Sequence, residues 1–164
     1  MGKTSIVTIL HGQAEFVPLI LHNFAEFVNN DDLELVIVDD GPETLCHLFC
    51  DTEQCIYIHL TQDEKGSFWN KIFSEYGSQD RSLLQYEKKK HLLPNGFLRD
   101  YACGMANHDN IFHMNYDCVY HPKSIERKIR FSERVGAECV YCDTTLCYDM
   151  SGKGLYKSES ESKI

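Results

Sequence analysis

Apolar and polar positions along this chain fall into blocks of two kinds: short, nearly unbroken apolar runs, and longer stretches in which apolar residues recur every third or fourth place. Ser5-Ile6-Val7-Thr8-Ile9-Leu10 is a run of the first kind, rich in β-branched residues. A run without polar alternation predicts a central strand buried on both faces. His11-Gly12-Gln13 follows as a turn. Phe16, Leu19, Ile20, Phe24 and Phe27 then recur near helical spacing, which predicts a helix over 14–29, ended by Asn29-Asn30-Asp31-Asp32. A second apolar run over 33–38 predicts strand two. A short helix over 43–50 and a third strand over 55–60 complete a β-α-β-α-β order. That order predicts an α/β fold: an open, mostly parallel, Rossmann-like sheet flanked by helices, with right-handed crossovers.

The middle of the chain is less regular. Residues 67–73 and 81–91 read as helices, Leu93-Pro94-Asn95-Gly96 as a turn, and 97–106 as a further helix. Residues 111–114 form the fourth predicted strand. Pro122 opens a helix that runs to Val135, where Gly136 stops it. Residues 138–142 predict a fifth strand, continued by 145–148. The pattern thus divides into one domain over 1–150 and a polar, frayed tail over 151–164.

At 164 residues the chain is long enough for one real core, and 43% hydrophobic with 25% charged residues is ordinary for a globular fold. No apolar stretch approaches a membrane span, and Met1-Gly2-Lys3-Thr4 does not begin a secretory signal. These features predict a cytoplasmic protein without a membrane span. Its eight cysteines then read as reduced thiols, mostly small buried hydrophobes. Cys139, Cys142 and Cys147 also permit a different reading, a zinc-bearing interaction module. The net charge of −9 disfavours nucleic acid as a partner, which needs a basic footprint. It also repels any anionic ligand unless a metal ion or local cations reverse the field. Lys88-Lys89-Lys90-His91 and Arg99 are candidates for that role, although a lysine run also reads as a solvated face.

Two strand ends carry the candidate chemistry. One is Leu33-Glu34-Leu35-Val36-Ile37-Val38-Asp39-Asp40-Gly41, the other Ile111-Phe112-His113-Met114-Asn115-Tyr116-Asp117-Cys118. Open α/β sheets bind ligands at the carboxyl ends of their strands. Two such ends side by side would make an oxygen-rich mouth, suited to a nucleoside diphosphate held through a divalent cation. The same residues also fit a plainer reading, in which Asp39-Asp40-Gly41 makes a turn and caps the next element.

Four motifs in order extend this picture: Val36-Ile37-Val38-Asp39-Asp40-Gly41, Asn95-Gly96-Phe97-Leu98-Arg99-Asp100, Asn115-Tyr116-Asp117-Cys118-Val119-Tyr120-His121-Pro122 and Gly136-Ala137-Glu138-Cys139-Val140-Tyr141. In this order they resemble the nucleotide-sugar glycosyltransferases of the GT-A fold, particularly the large family-two-like group. The resemblance covers residues 4–148. It departs from the family pattern at Asn115, where the first Asp of a DxD motif stands, at Cys118 in place of a further Asp, and at Gly12 in place of an Asn. The resemblance implies transfer of a sugar from a UDP- or GDP-sugar donor to a glycan, protein or lipid hydroxyl, with Mn2+ or Mg2+ assisting. It implies that Asp39 and Asp40 read the nucleotide, that the backbone at Leu10 and His11 lines the base pocket, and that Arg99 and Asn115 contact the donor. Asp117 would bind the metal. His113 and His121 flank the motif as candidate ligands. No residue matches the family's general base; Asp143 and Asp149 are the late carboxylates available. The alternative within the same fold is a non-catalytic nucleotide-sugar-binding domain of a larger protein.

Overall fold

The two longest apolar runs form adjacent strands in the computed structural model, which describes residues 2–27, 32–76, 92–142, 144–149 and 154–159. Strands β1 (Thr4–Leu10) and β2 (Leu33–Asp39) are buried at every position. They pair in parallel, with Thr4 opposite Leu33 and Leu10 opposite Asp39. Strand β3 (Cys55–His59) joins the outer edge of β2, and β4 (Asn110–His113) joins the other side of β1. The result is a four-stranded, all-parallel sheet in the order β3-β2-β1-β4. The fold is α/β, as the strand and helix order predicts.

Side chains alternate across a strand, so the two faces of this sheet are covered by different helices. Val7, Ile9, Val36 and Val38 pack with Trp69 and Ile72 of α2 (Gln62–Tyr76) and with Leu98 and Ala102 of α3 (Asn95–Met105). On the opposite face Phe112, in register with Ile6, meets Phe27 of α1 (Val17–Phe27) edge-on at 6.0 Å. A single 3-10 turn, Ala14–Phe16, leads into α1.

Several elements differ from the sequence expectation. The helix expected over 43–50 is one 3-10 turn, Cys46–Leu48. Helix α2 begins five residues before the expected start at 67. Thr61 and Glu64 form a reciprocal cap there: the Thr61 N–H and hydroxyl donate to Glu64 Oε2 at 2.8 and 2.6 Å, and the Glu64 N–H donates back to Thr61 Oγ1 at 3.3 Å. The helix expected over 81–91 lies outside the described residues. The fifth strand expected over 138–142 is not a strand. Cys139, Tyr141 and Cys142 are exposed, and strand propensity yields a strand only with a ladder partner and a face to pack. The expected continuation over 145–148 is a strand: β5 (Thr144–Asp149) pairs with β6 (Gly154–Glu159) in an antiparallel two-stranded sheet, and β6 falls within the stretch expected as tail. The described cysteines are exposed or half-buried rather than buried.

By its contacts the chain divides into two compact units, Met1–Ile125 and Glu126–Ile164. The first holds the parallel sheet and α1 to α3. The second holds most of α4 (Ser124–Val135) and the β5-β6 sheet. No helix among the described residues is long and apolar enough to cross a membrane.

Candidate functional site

At the carboxyl ends of β1 and β2 two turns touch. Gly12 has φ of +85°, and a Cβ placed on Gly41 would lie 2.5 Å from the Gly12 backbone. The close approach therefore needs glycine at 41. Asp39 ties the turns together. Its Oδ1 accepts the N–H groups of Gly12 and Gly41, both at 2.9 Å, and its Oδ2 accepts the Tyr57 hydroxyl at 2.7 Å. Burial and then the bond to Asp39 push the Tyr57 hydroxyl up to about 12, against the opposing bond from the Leu45 N–H. Asp39 is fully buried, and its carboxylate is turned into the protein.

Asp40 points to the other face. Because Leu10 lies opposite Asp39, the next pair across the strands is His11 and Asp40. Asp40 is fully buried and accepts the Leu93 N–H at 2.6 Å and the His11 Nδ1–H. The buried Lys65 ammonium of α2 donates to the Asp40 backbone carbonyl at 2.7 Å. On its other edge the His11 ring donates from Nε2 to Asn95 Oδ1, at the start of α3, at 2.7 Å. Burial pulls the His11 pKa down, but the Asp40 carboxylate, with help from Asn95 and Asp39, more than offsets it and holds the ring above its ordinary 6.5.

The second acidic strand end is a loop held from both sides. Asn23, buried on α1, donates to the Cys118 carbonyl at 2.8 Å and accepts the Tyr120 N–H at 3.0 Å. The Tyr120 hydroxyl in turn accepts the Asn115 N–H at 2.9 Å, and the Tyr116 ring packs on Phe16 at 5.1 Å. This leaves Asn115 and Asp117 exposed at the mouth. Arg99 of α3 reaches across to donate to Asn115 Oδ1 at 3.1 Å. His113, the last residue of β4, also lines this mouth. Burial and then the nearby Arg99 charge depress its pKa, so the ring is neutral at physiological pH.

These groups enclose a pocket of about 200 Å³ at the carboxyl ends of β1 and β4. Val7, Ile9 and Met114 contribute its apolar lining, while His11, Asn95, Arg99, His113, Asn115 and Asp117 contribute its polar lining. Among the described residues Asp117 is the carboxylate on that wall, facing Arg99 and His11.

The structure thus brings His11, Arg99, Asn115 and Asp117 together, although 106 positions separate the first from the last. Leu10 and Asp39 are fully buried and Asp40 lies behind His11, so none of the three is on the pocket wall. The His121 Nδ1 accepts the Lys123 N–H at 3.1 Å in a local turn. Asp143 and the run 88–91 lie outside the described residues, as does the side chain of Asp149. Cys139 and Cys142 are exposed thiols, the Cys147 side chain is outside the described set, and no three His, Cys, Asp or Glu side chains converge among the described residues. Sequence reasoning missed the His11 ring, Asn95, and the loop supports Asn23 and Tyr120. A signal existed only for the first: once β1 and β2 are aligned, a histidine and an aspartate stand opposite each other one step past the strand ends. Set against family models and curated proteins, the chain matches none.

Proposed function

We propose that this chain binds a nucleoside-diphosphate sugar at the carboxyl ends of β1 and β4 and transfers the sugar to an acceptor hydroxyl, in the manner of a GT-A glycosyltransferase. One observation supports the reading: Arg99, Asn115 and Asp117, three of the residues the motif resemblance singles out, line one pocket at the place where open parallel sheets bind ligands, while Leu10, Asp39 and Asp40 stand outside it. The pocket is smaller than the roughly 300–1,000 Å³ common for small-molecule sites, so it suits the diphosphate, with nucleoside and sugar extending toward its mouth.

The donor set fits a hard divalent cation. Asp117 offers an exposed carboxylate, and Mg2+ commonly takes one or two carboxylates, with substrate phosphates and water completing its shell. When bound, such an ion stabilises the departing diphosphate as a Lewis acid. Arg99 supplies a planar guanidinium matched to phosphate oxygens, and its bond to Asn115 aims it into the pocket. Val7, Ile9 and Met114 exclude water from one side, which strengthens these charge interactions.

Calorimetric titration with UDP, GDP and their sugars, with and without Mn2+, tests the reading. Metal-dependent affinity for at least one of them is expected. Asp117→Ala should weaken the metal-dependent binding by at least about tenfold, since even the loss of a ligand's supporting partner costs that much. Equal affinity in Asp117→Ala and the parent would remove the metal assignment.

A second reading, binding without transfer, is favoured by the described pocket wall: among the described residues it offers one carboxylate, Asp117, which this reading assigns to the metal rather than to a base for the acceptor. Slow, metal-dependent release of free sugar from the donor, followed by NMR and lost in Asp117→Ala, distinguishes the enzyme from the binding domain.

A further inference from the structure

His11 occupies an unusual position: its ring joins a fully buried carboxylate to an open pocket. The Asp40 side chain is 0% exposed and the His11 side chain 16%. Among the described residues, His11 is the ion-pair partner of the Asp40 carboxylate. We propose that His11 is a phosphate-binding cation of this pocket, with Asp40 holding its Nδ1 inward and thereby presenting Nε2–H to a phosphoryl oxygen of the ligand. The inference rests on the diphosphate reading of the ligand above and adds to it the residue that supplies the second positive charge.

Three observations carry it. First, both ring nitrogens face oxygen acceptors, Asp40 Oδ1 and Asn95 Oδ1, an arrangement that the doubly protonated ring satisfies. Second, the fully buried Asp40 carboxylate is contacted directly by the His11 ring, whereas the Lys65 ammonium, also close by, bonds to the Asp40 main-chain carbonyl instead. Third, the pocket needs local cations. The chain carries a net charge of −9, and among the described residues Arg99 is the permanent positive group on the wall, opposed by Asp117, while burial and Arg99 depress the His113 pKa. A charged His11 tips that balance toward an anion.

The groups facing His11 come from every side of the pocket. Asp39 ends β2 and Asp40 follows it, Lys65 of α2 bonds to the Asp40 carbonyl, Asn95 and Arg99 belong to α3, His113 ends β4, and Asp117 lies in the loop beyond it. The carboxylates favour the imidazolium; Arg99 opposes it. A protonated His11 is therefore a charge that pH can remove, whereas Arg99 is not. Without ligand, Asn95 occupies Nε2. An arriving phosphoryl oxygen takes that bond, and rotation of the Asn95 amide turns its N–H toward the same anion.

Inorganic pyrophosphate, with a chelator to remove metal, is the probe. Its binding is measured by calorimetry from about pH 5.5 to about pH 8.5, the range in which histidine titrates, and the His11 ring is followed by 15N NMR. The ring should titrate above 6.5 in the free protein, and pyrophosphate should raise it further. Because pyrophosphate also ionises in this range, the His11 contribution is read as the ratio of parent to His11→Gln affinity, which should fall as pH rises through that transition. His11→Gln should weaken binding at the acid end by about tenfold, the loss of one charge-assisted hydrogen bond, and flatten the pH dependence. Arg99→Gln should weaken binding but keep the slope. A His11 ring whose titration pyrophosphate does not move overturns the proposal, and that measurement needs no variant that must fold. If pyrophosphate moves the ring but UDP- and GDP-sugars bind no more tightly than pyrophosphate, the His11 site stands and the nucleotide-sugar reading falls. If a nucleotide sugar binds tightly while the ring stays unmoved, the reverse holds.

Discussion

Neighbouring residues of one motif do opposite jobs here. Asp39 and Asp40 are adjacent acids at a strand end, and the pleat sends one to each face of the sheet. Asp39 ends among three protein donors and acts as a staple between two turns. Asp39→Ala would leave two backbone N–H donors and the Tyr57 O–H without their acceptor, at a cost of about 3 kcal/mol or more. Asp39→Asn keeps an acceptor for the glycine N–H groups and should cost less than half as much. Chemical denaturation of the two variants checks the ratio. Asp40 instead works through His11, and the raised pKa of that ring makes stability depend on pH. The folded state holds the proton more tightly than the unfolded chain, in which the ring titrates near 6.5. The contribution is therefore complete below about pH 6.5 and is lost as pH rises through the higher folded value. The denaturation midpoint should fall across that window, and His11→Gln should remove this part of the fall. Glu34 acts in the opposite direction. Burial raises its pKa, but bonds from Ser5 and Asn107 outweigh that and hold it below 4.5, so its contribution is lost only on acidification through that lowered value.

The elements follow local chemistry where that chemistry is strong. Helix α2 starts at Gln62 because Thr61 and Glu64 satisfy each other's backbone donors, a cap readable as Thr-x-x-Glu that apolar spacing alone passes over. Thr61→Ala should cost about 1 kcal/mol and is measured by the same denaturation series. The segment 43–50 shows the reverse. Pro42 fixes the chain entering it, and the Leu45 N–H bonds to the Tyr57 hydroxyl at 2.7 Å, which leaves only a 3-10 turn of three residues. At the other end of the chain, 138–142 has the composition of a strand, yet the pairing belongs to β5 and β6. A strand is a relation between segments, so composition locates it only to within a few residues.

Across the molecule the two sheets differ in what supports them. Strands β1 and β2 are buried along their full length in a four-stranded sheet covered on both faces, whereas β5 and β6 form a sheet of two. Two strands alone are marginal in water. Amide hydrogen exchange should therefore be slowest in β1 and β2 and several orders of magnitude faster in β5 and β6; equal protection would show that the second unit draws stability from elsewhere. Charge is likewise distributed rather than uniform. A chain of net charge −9 still builds a pocket with Arg99 and His11 on its wall, and that local field governs what enters.

From its order of residues alone, this chain determined the α/β class and the two central strands, whereas only the motif resemblance pointed to Arg99, Asn115 and Asp117 sharing one place. Unbroken apolar runs must be buried, so the class and the strands follow from local pattern and connectivity. Tertiary structure alone decided that Asp39 faces inward, that His11 joins Asp40 to the pocket, that Asn23 and Tyr120 hold the loop, and that of the expected strand over 138–142 and 145–148 only the second part pairs. Each of these depends on which distant backbone arrives alongside, and a hydrogen bond over three ångströms is set by that arrival rather than by the residue's own neighbours in the chain.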